Sequence, residues 1–140
     1  MIGKTYDQLE VGDSSEFSKT VSEADVYMYA GISGDLNPAH INEVYAQGTF
    51  FKNRIAHGML SASFISAVIG MQLPGPGTIY MGQNLQFLAP VRIGDTVTAR
   101  VEVIEKIDDK KRVRLATTCF NQEGTQLISG EAFVSPPRPA

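Results

Sequence analysis

The feature that most constrains this chain is a long internal segment, from Ile55 to Val91, that contains no Asp, Glu, Lys or Arg. A solvated surface accepts charged side chains freely, so their absence indicates that most of this segment is enclosed. Within it, the stretch from Gly58 to Met71 has the length of a helix, with apolar residues on more than one side and small residues between them. This pattern predicts a buried helix, with Met59, Phe64 and Met71 mostly in the core.

Segments rich in β-branched and aromatic residues follow this helix and are separated by polar turns. They predict four strands, at residues 78–88, 95–107, 112–121 and 125–134. Before the helix, the sequence predicts a strand at residues 14–21, a short helix starting near Ser22 and a helical turn at residues 42–47. This order is typical of an α+β fold in which an antiparallel sheet wraps around one long central helix. The proline-rich tail, residues 135–140, is predicted to be frayed.

Length and composition exclude several classes of protein. The 140 residues predict a single domain, residues 1–140, that is large enough to fold around its own core. One cysteine excludes a disulfide framework and a cysteine-rich metal centre, and two histidines allow only a sparse metal site. A net charge of −3 without a basic stripe argues against nucleic acid as a partner. The longest apolar stretch is too short to span a membrane, and the N-terminus lacks a signal-peptide core, so we expect a soluble cytoplasmic protein.

The stretch from Gly34 to His40, Gly-Asp-Leu-Asn-Pro-Ala-His, holds the residues best suited to chemistry. Pro38 fixes its own φ and disfavours helical geometry at Asn37, which predicts a bent, ordered loop rather than a helix. Such a loop can bring the Asp35 carboxylate and the His40 imidazole around one water molecule, as an acid/base pair at neutral pH. The same residues also have a structural explanation, because Asp-x-Asn-Pro is common turn chemistry.

Several segments together resemble the MaoC-like (R)-specific enoyl-CoA hydratases. The residues from Gly34 to His40 resemble the hydratase-2 motif of that family, and Ala-His-Gly-Met-Leu at residues 56–60 resembles its entry into the central helix. Further similarity lies at residues 77–80, 87–91 and 93–95. Ala39 is a departure, since the family usually has a larger aliphatic residue before the histidine. The resemblance implies a hot-dog fold of the stand-alone bacterial type that supplies polyester synthesis. It also implies a homodimer with its two sheets joined edge to edge, an acyl-CoA thioester substrate, and no cofactor or metal.

The resemblance also implies roles for individual residues. Asp35 and His40 become the catalytic dyad that adds water to one face of a trans-2-enoyl-CoA and gives the (R)-3-hydroxyacyl-CoA. Gly58 becomes the donor to the thioester enolate, through a backbone N–H at the positive end of the helix dipole. Ser66 becomes a partner that supports the dyad from the helix. Asn37 is expected to brace the loop.

Two further residues have structural explanations. His57 is explained as a helix-start residue bonded to local backbone, rather than as a second acid or a metal ligand, and Cys119 as a buried thiol in a strand.

Three alternative functions are compatible with this kind of chain. They are a 3-hydroxyacyl-thioester dehydratase acting on acyl-carrier protein, a thioesterase of the same fold, and a non-catalytic acyl-CoA-binding module. The thioesterase has no obvious use for the Asp-x-Asn-Pro-x-His loop, and a binding module needs neither Asp35 nor His40. No basic cluster in the sequence marks a phosphate site that would separate CoA from carrier protein. The only candidates are scattered cations: Lys52, Arg54, Arg92 and Arg112.

Overall fold

The computed structural model describes all 140 residues. Its strands are β1 (Ser14–Thr20), β2 (Ile79–Gln83), β3 (Gln86–Phe87), β4 (Thr96–Ile107), β5 (Arg112–Phe120) and β6 (Gln126–Ser135). Its helices are α1 (Glu23–Ser33), α2 (Pro38–Ile41), α3 (Glu43–Gln47) and α4 (Gly58–Met71), and a 3-10 turn at Tyr6–Gln8 precedes them all. None of these helices has both the length and the apolar character needed to cross a lipid bilayer.

The strands form one antiparallel sheet in the order β1-β4-β5-β6-β2, with β3 also paired to β6. Helix α4 packs against β1, β4 and β5. Along β4 and β5, buried residues alternate with half-buried ones, as expected for a sheet with one face covered by a helix. The predicted α+β arrangement of an antiparallel sheet around one long helix is confirmed.

Helix α4 has the bounds that its sequence pattern predicts, Gly58–Met71. Phe64 is buried, as expected, and belongs to the same core cluster as the inward-facing residues of β4 and β5. The expectation that Met59 and Met71 lie mostly in the core is wrong, because their side chains are 52% and 71% exposed. The sheet covers only one side of the helix; Met59 lies on the other side, and Met71 is exposed because it is the last residue of the helix.

The segment predicted as one strand at residues 78–88 is instead two short strands, β2 and β3, separated by a link. In that link, the Asn84 N–H donates to the Glu131 carbonyl (3.0 Å), and the Asn84 side-chain oxygen accepts from the Glu131 N–H (3.1 Å). The link crosses β6 at Gly130, where a Cβ would collide with the Asn84 carbonyl oxygen. The absence of a side chain at Gly130 therefore allows the break between β2 and β3.

The charge-free segment is less enclosed than predicted. Ile79, Met81, Phe87 and Leu88 are each about half exposed or more. Strand β2 lies at the edge of the sheet, so one side of its backbone has no neighbouring strand. Enclosure therefore explains the lack of charge on the buried side of α4, whereas β2 and β3 present apolar side chains on the surface of the chain.

The C-terminal tail is more ordered than predicted. Ser135 is the last residue of β6, and Pro136 and Pro137 are buried. The Pro137 side chain occupies the space that a Cβ on Gly77 would need. The prediction of a frayed tail is wrong for residues 135–137, because the two prolines pack beside the turn that follows α4.

Candidate active site

Helix α1 leads the chain to the site, and both of its ends are fixed by local interactions. At its start, the Ser22 side chain accepts a hydrogen bond from the Asp25 N–H (3.1 Å), and the Asp25 carboxylate accepts one from the Ser22 N–H (2.9 Å). At its end, Gly34 adopts φ 81°, a left-handed conformation that terminates the helix and turns the chain. Asp35 follows this turn directly.

The stretch that holds Asp35 and His40 is partly helical. Residues Pro38–Ile41 form one turn, α2, and Asn37 caps it by accepting a hydrogen bond from the Ala39 N–H (3.0 Å). Proline suits the first position of a helix, where its missing N–H would have no partner in any case. The expectation of a loop rather than a helix is therefore wrong for residues 38–40, although residues 34–37 do form a bend.

His40 is held in one orientation and one tautomer. Its side chain is buried, and its Nδ1–H donates to the Ile55 carbonyl at 2.7 Å. A carbonyl oxygen only accepts hydrogen bonds, so Nδ1 carries the proton and the neutral ring keeps a lone pair on Nε2. Nε2 has no hydrogen-bond partner within the protein and is available to a molecule in the cavity that His40 lines.

Asp35 lies close to His40. Its Oδ1 accepts a hydrogen bond from the Asn37 N–H (3.2 Å), and its side chain is exposed to the same cavity. The potential ligand atoms of Asp35, His40 and His57 all lie within 4.8 Å of one another. A single water molecule, with hydrogen bonds of about 2.8 Å on each side, spans such a separation. The structure thus brings together the two residues that the sequence pairs as acid and base.

His57 contacts both of them. Its Nε2–H donates to the Asp35 carbonyl (2.9 Å), and its ring stacks on that of His40 with centroids 3.8 Å apart and planes inclined by 28°. Tyr29 packs on His57 at a centroid distance of 4.9 Å. His57 does stand at the start of α4 and bonds to backbone, but that backbone belongs to Asp35, 22 residues earlier. Nothing in the spacing of the sequence indicates this contact or the stacking.

The three clustered side chains are poorly arranged as a metal chelate. Imidazole lone pairs lie in the ring planes, and the nearly parallel rings of His40 and His57 direct them side by side rather than toward one point. The cluster therefore fits proton transfer and hydrogen bonding better than metal binding.

Gly58 is the first residue of α4, and its backbone N–H has no acceptor within the protein. Unpaired N–H groups at the first turn of a 14-residue helix carry the positive end of its dipole. A Cβ on Gly58 would lie 2.7 Å from two carbons of the Phe87 ring, so glycine allows this aromatic side chain to pack directly against the start of α4. The site thus combines an available donor with close access to backbone.

The dyad and Gly58 share a cavity of about 560 Å³, and 12 of its 18 lining residues are hydrophobic. Its lining extends from Leu127 and Ile128, which are almost completely buried, to Phe50, which is 91% exposed. Such a shape suits an apolar chain with a polar group held near one end. Phe50, Leu127 and Ile128 carry no motif, so sequence reasoning missed them.

The serine that α4 presents to the cavity is Ser61, whereas Ser66 is exposed, its hydroxyl has no hydrogen bond, and it does not line the cavity. The Ser61 hydroxyl is buried without a hydrogen-bond partner. Cys119 is fully buried, and its thiol donates to the Ser61 carbonyl (3.7 Å). Burial raises the pKa of the Cys119 thiol to about 12, which makes it unsuited to act as a nucleophile.

Comparison with known proteins agrees with this geometry. The family model described as MaoC like domain matches residues 8–123. A relative from Rhodospirillum rubrum named (R)-specific enoyl-CoA hydratase is 57% identical over 132 residues, covering 94% of this chain and 91% of the relative.

Two solved structures are similar over nearly the whole chain. The unliganded R-hydratase PhaJ1 from Pseudomonas aeruginosa has a TM-score of 0.93 and 49% identity, covering 98% of this chain and 88% of its own. The (R)-hydratase from Aeromonas caviae, described as involved in PHA biosynthesis, has a TM-score of 0.90 and 46% identity, covering 92% and 98%. Similarity at this level confirms the predicted hot-dog fold.

Proposed function

Because the chain belongs to the MaoC-like domain family, we propose that it is a hydro-lyase that converts trans-2-enoyl-CoA and water to (R)-3-hydroxyacyl-CoA. The observation that carries this function is the proximity of Asp35 and His40, whose Nε2 has no partner in the protein, in an apolar cavity that Gly58 also lines. A module that only bound acyl-CoA would need no such pair. An acyl-carrier-protein substrate has less support, since the relative from R. rubrum is named for the CoA thioester.

The proposed reaction begins with a water molecule held between Asp35 and His40. As the water oxygen attacks the β-carbon of the enoyl thioester, one member of the pair takes a proton from it. The α-carbon then receives a proton from the pair, so water adds in full and no other reactant is needed. Both groups lie on one side of the cavity, which favours addition to one face. Positioned acid/base groups typically contribute about a hundredfold to ten-thousandfold in rate, and a coupled pair shares the two roles.

Negative charge develops on the thioester oxygen during this attack. The Gly58 N–H is the available donor for that oxygen, and a preorganised donor of this kind typically contributes about 3 kcal/mol to transition-state stabilisation. Phe87 and the apolar lining exclude water from the acyl group. His57 positions the pair, because it donates a hydrogen bond to the Asp35 carbonyl and its ring stacks on that of His40.

The test is hydration of crotonyl-CoA, followed by the loss of enoyl-thioester absorbance and by chiral analysis of the product. We expect the (R)-3-hydroxy product without added metal or nucleotide. Asp35→Asn and His40→Gln should each lower kcat by at least about a hundredfold. Asp109→Asn, in the exposed turn between β4 and β5, is the matched control and should keep full activity. Folded Asp35→Asn and His40→Gln proteins that work at the original rate would refute the dyad.

The proposal includes a homodimer joined through the open edge of β2. Support comes from the apolar side chains exposed on β2 and β3, and from Met59 on the exposed side of α4. Ser66 lies on that same exposed side, so it can support a dyad only if the partner subunit brings one to it. Sedimentation should give twice the mass of the chain, and Met81→Asp, on β2, should give a monomer.

Two further proposals concern the setting of the enzyme. We place it in the cytoplasm, which is supported by its unpaired Cys119 and by a CoA thioester substrate. We also infer that its product supplies polyester synthesis, on the basis of the similarity to the A. caviae enzyme. Deletion of the gene in a polyester-accumulating host should then lower the polymer content, and localisation by fractionation would check the compartment.

A further inference from the structure

A second concave surface adjoins the opening of the catalytic cavity. We call it the basic groove, and it has a volume of about 560 Å³. Its lining residues are Glu43, Phe50, Phe51, Lys52, Asn53, Arg54, Arg92 and Ile93. Phe50 and Phe51 line both the groove and the catalytic cavity, so the two spaces share a wall. A ligand that extends out of the cavity past these rings enters the groove.

Three of the four cations that the sequence offers as candidates for a phosphate site line the basic groove. The fourth, Arg112, lies at the start of β5 and lines a different pocket. Within the groove, Arg54 is already neutralised, because it pairs with Glu23 (2.6 Å) and Glu43 (3.1 Å). These carboxylates hold the pKa of Arg54 above its ordinary value. Arg54 is therefore a structural cation.

Lys52 and Arg92 differ from Arg54, because neither forms an ion pair. Lys52 is exposed, and Arg92 donates one guanidinium hydrogen bond to the Phe51 carbonyl (2.6 Å), which leaves its other N–H groups free. Although the chain as a whole carries a net charge of −3, these two unpaired cations beside the cavity opening attract anions locally.

The backbone is fixed at both positions, and the Arg92 guanidinium is also held by its bond to the Phe51 carbonyl. The Arg92 backbone N–H donates to the Asp95 carboxylate (2.8 Å), and Arg92 forms an isolated β-bridge with Ile55. The Lys52 N–H donates to the Thr49 carbonyl (3.2 Å), in a turn that puts Lys52 at φ 69°. The Arg92 guanidinium is therefore fixed before binding and loses little conformational entropy when a ligand arrives, whereas the Lys52 side chain must be ordered by the ligand.

We propose that the basic groove binds the phosphate groups of coenzyme A through Lys52 and Arg92, an inference that rests on the proposed function. The direction of the substrate follows from burial. The thioester is placed at Gly58, the acyl chain runs toward Leu127 and Ile128, and the rest of the thioester leaves past Phe50. The phosphates of coenzyme A lie at the far end of the pantetheine arm, which is the part of the substrate that reaches the groove.

The experiment compares two substrates that differ only in the part that the groove would bind. Crotonyl-CoA carries the phosphates, whereas crotonyl-pantetheine has the same thioester and arm without them. Lys52→Gln and Arg92→Gln should each raise KM for crotonyl-CoA by about three- to tenfold, the range of single partly exposed ion pairs with phosphate, with kcat unchanged. KM for crotonyl-pantetheine should stay the same in every variant.

Two controls sharpen the comparison. Arg112→Gln removes a cation from a different pocket and should leave both KM values unchanged. In the unmodified protein, KM for crotonyl-CoA should rise with ionic strength, and the Lys52→Gln/Arg92→Gln double variant should show a shallower rise. Calorimetry with coenzyme A itself should show weaker binding to the double variant.

The outcomes separate this inference from the proposed function. If the protein hydrates both thioesters but the variants leave KM for crotonyl-CoA unchanged, the function stands and the groove assignment is wrong. An equal rise in KM for both substrates would also overturn it, since the cations would then act through Phe51 rather than on phosphate. If the variants raise KM only for crotonyl-acyl-carrier protein, the groove binds a carrier protein and the assignment to coenzyme A is wrong. If neither thioester is hydrated, the proposed function fails, and the inference fails with it.

Discussion

At the scale of single residues, the two histidines are fixed by the same kind of contact with opposite results. His40 donates from Nδ1 to the Ile55 carbonyl and keeps its Nε2 lone pair, whereas His57 donates from Nε2 to the Asp35 carbonyl and keeps its Nδ1 lone pair. The free nitrogen of His40 is available to the cavity, but that of His57 is buried without a partner. The stacked pair therefore offers the substrate one imidazole, and the other holds Asp35 and His40 together.

This arrangement predicts that His57 acts by position. His57→Gln can keep an N–H donor for the Asp35 carbonyl, whereas His57→Leu removes it and loses this partly buried hydrogen bond, at a cost of about 1 kcal/mol. We expect kcat to fall by about tenfold or more in His57→Leu, less in His57→Gln, and KM to change little in either. Steady-state kinetics with crotonyl-CoA checks this order. Equal losses in both variants would show that the hydrogen bond is not what matters.

The contact between Gly58 and Phe87 gives a second prediction. A methyl group on Gly58 would lie 2.7 Å from the Phe87 ring, so Gly58→Ala must displace the ring or the start of α4. We expect a loss of about 1–3 kcal/mol in the free energy of unfolding, the usual cost of overpacking, and a lower kcat. Thermal unfolding and kinetics measure the two effects. Phe87→Leu should restore stability in the double variant, and no change in Gly58→Ala alone would contradict the contact.

At the scale of elements, the sequence pattern predicted the bounds of helices and strands best where local sequence alone determines them. Strand β5 has a clear period and helix α4 has firm end signals, so their predicted bounds agree with the structure to within a residue. The predictions failed at the link between β2 and β3, at α2 and at residues 135–137. The link and the tail depend on space left by Gly130 and Gly77, which belong to distant parts of the chain. Tertiary contacts of this kind leave no periodic signal in the sequence.

Replacing either of two glycines by alanine should change the free energy of unfolding, in opposite directions. A Cβ on Gly130 would collide with the Asn84 carbonyl, so Gly130→Ala should lower the free energy of unfolding by about 2 kcal/mol or more. Gly31 lies within α1, and a Cβ there would meet no atom within 4 Å. Gly31→Ala should therefore raise stability by up to about 1 kcal/mol, since alanine favours the helix. Denaturant unfolding compares the two, and destabilisation of both would contradict the argument.

At the scale of the whole molecule, the sequence predicted the fold and the pairing of Asp35 with His40, because a short motif and a long helix determine them. It did not indicate that Lys52 and Arg92 share one groove, since 39 intervening residues separate the positions (92 − 52 − 1) and only folding brings them together. The charge-free segment likewise marks two different surfaces, one buried under the sheet and one exposed at its edge. A lack of charge cannot distinguish these surfaces, because apolar side chains line both of them.

The whole molecule should also lose stability in alkali. Burial raises the pKa of the Cys119 thiol from its ordinary value of 9.0 to about 12, and that of the Tyr80 hydroxyl from 10.0 to about 12. Between these values the unfolded chain releases protons that the folded chain keeps, so the free energy of unfolding falls as the pH rises from about 9 to 12. Denaturant melts across this range should show the fall. Cys119→Ala should make it shallower, and an unchanged slope would argue against the thiol as a contributor.

The stacking of the two histidines has a practical consequence for spectroscopy. The chain contains no other histidine, so every imidazole signal in a magnetic resonance spectrum comes from the site. The opposite tautomers of the two rings give different nitrogen shift patterns, which assigns each signal without mutagenesis. Each ring also lies in the magnetic shielding of the other at 3.8 Å. A thioester that enters the cavity would therefore shift imidazole signals that do not overlap with those of any other histidine, so ligand binding can be followed directly.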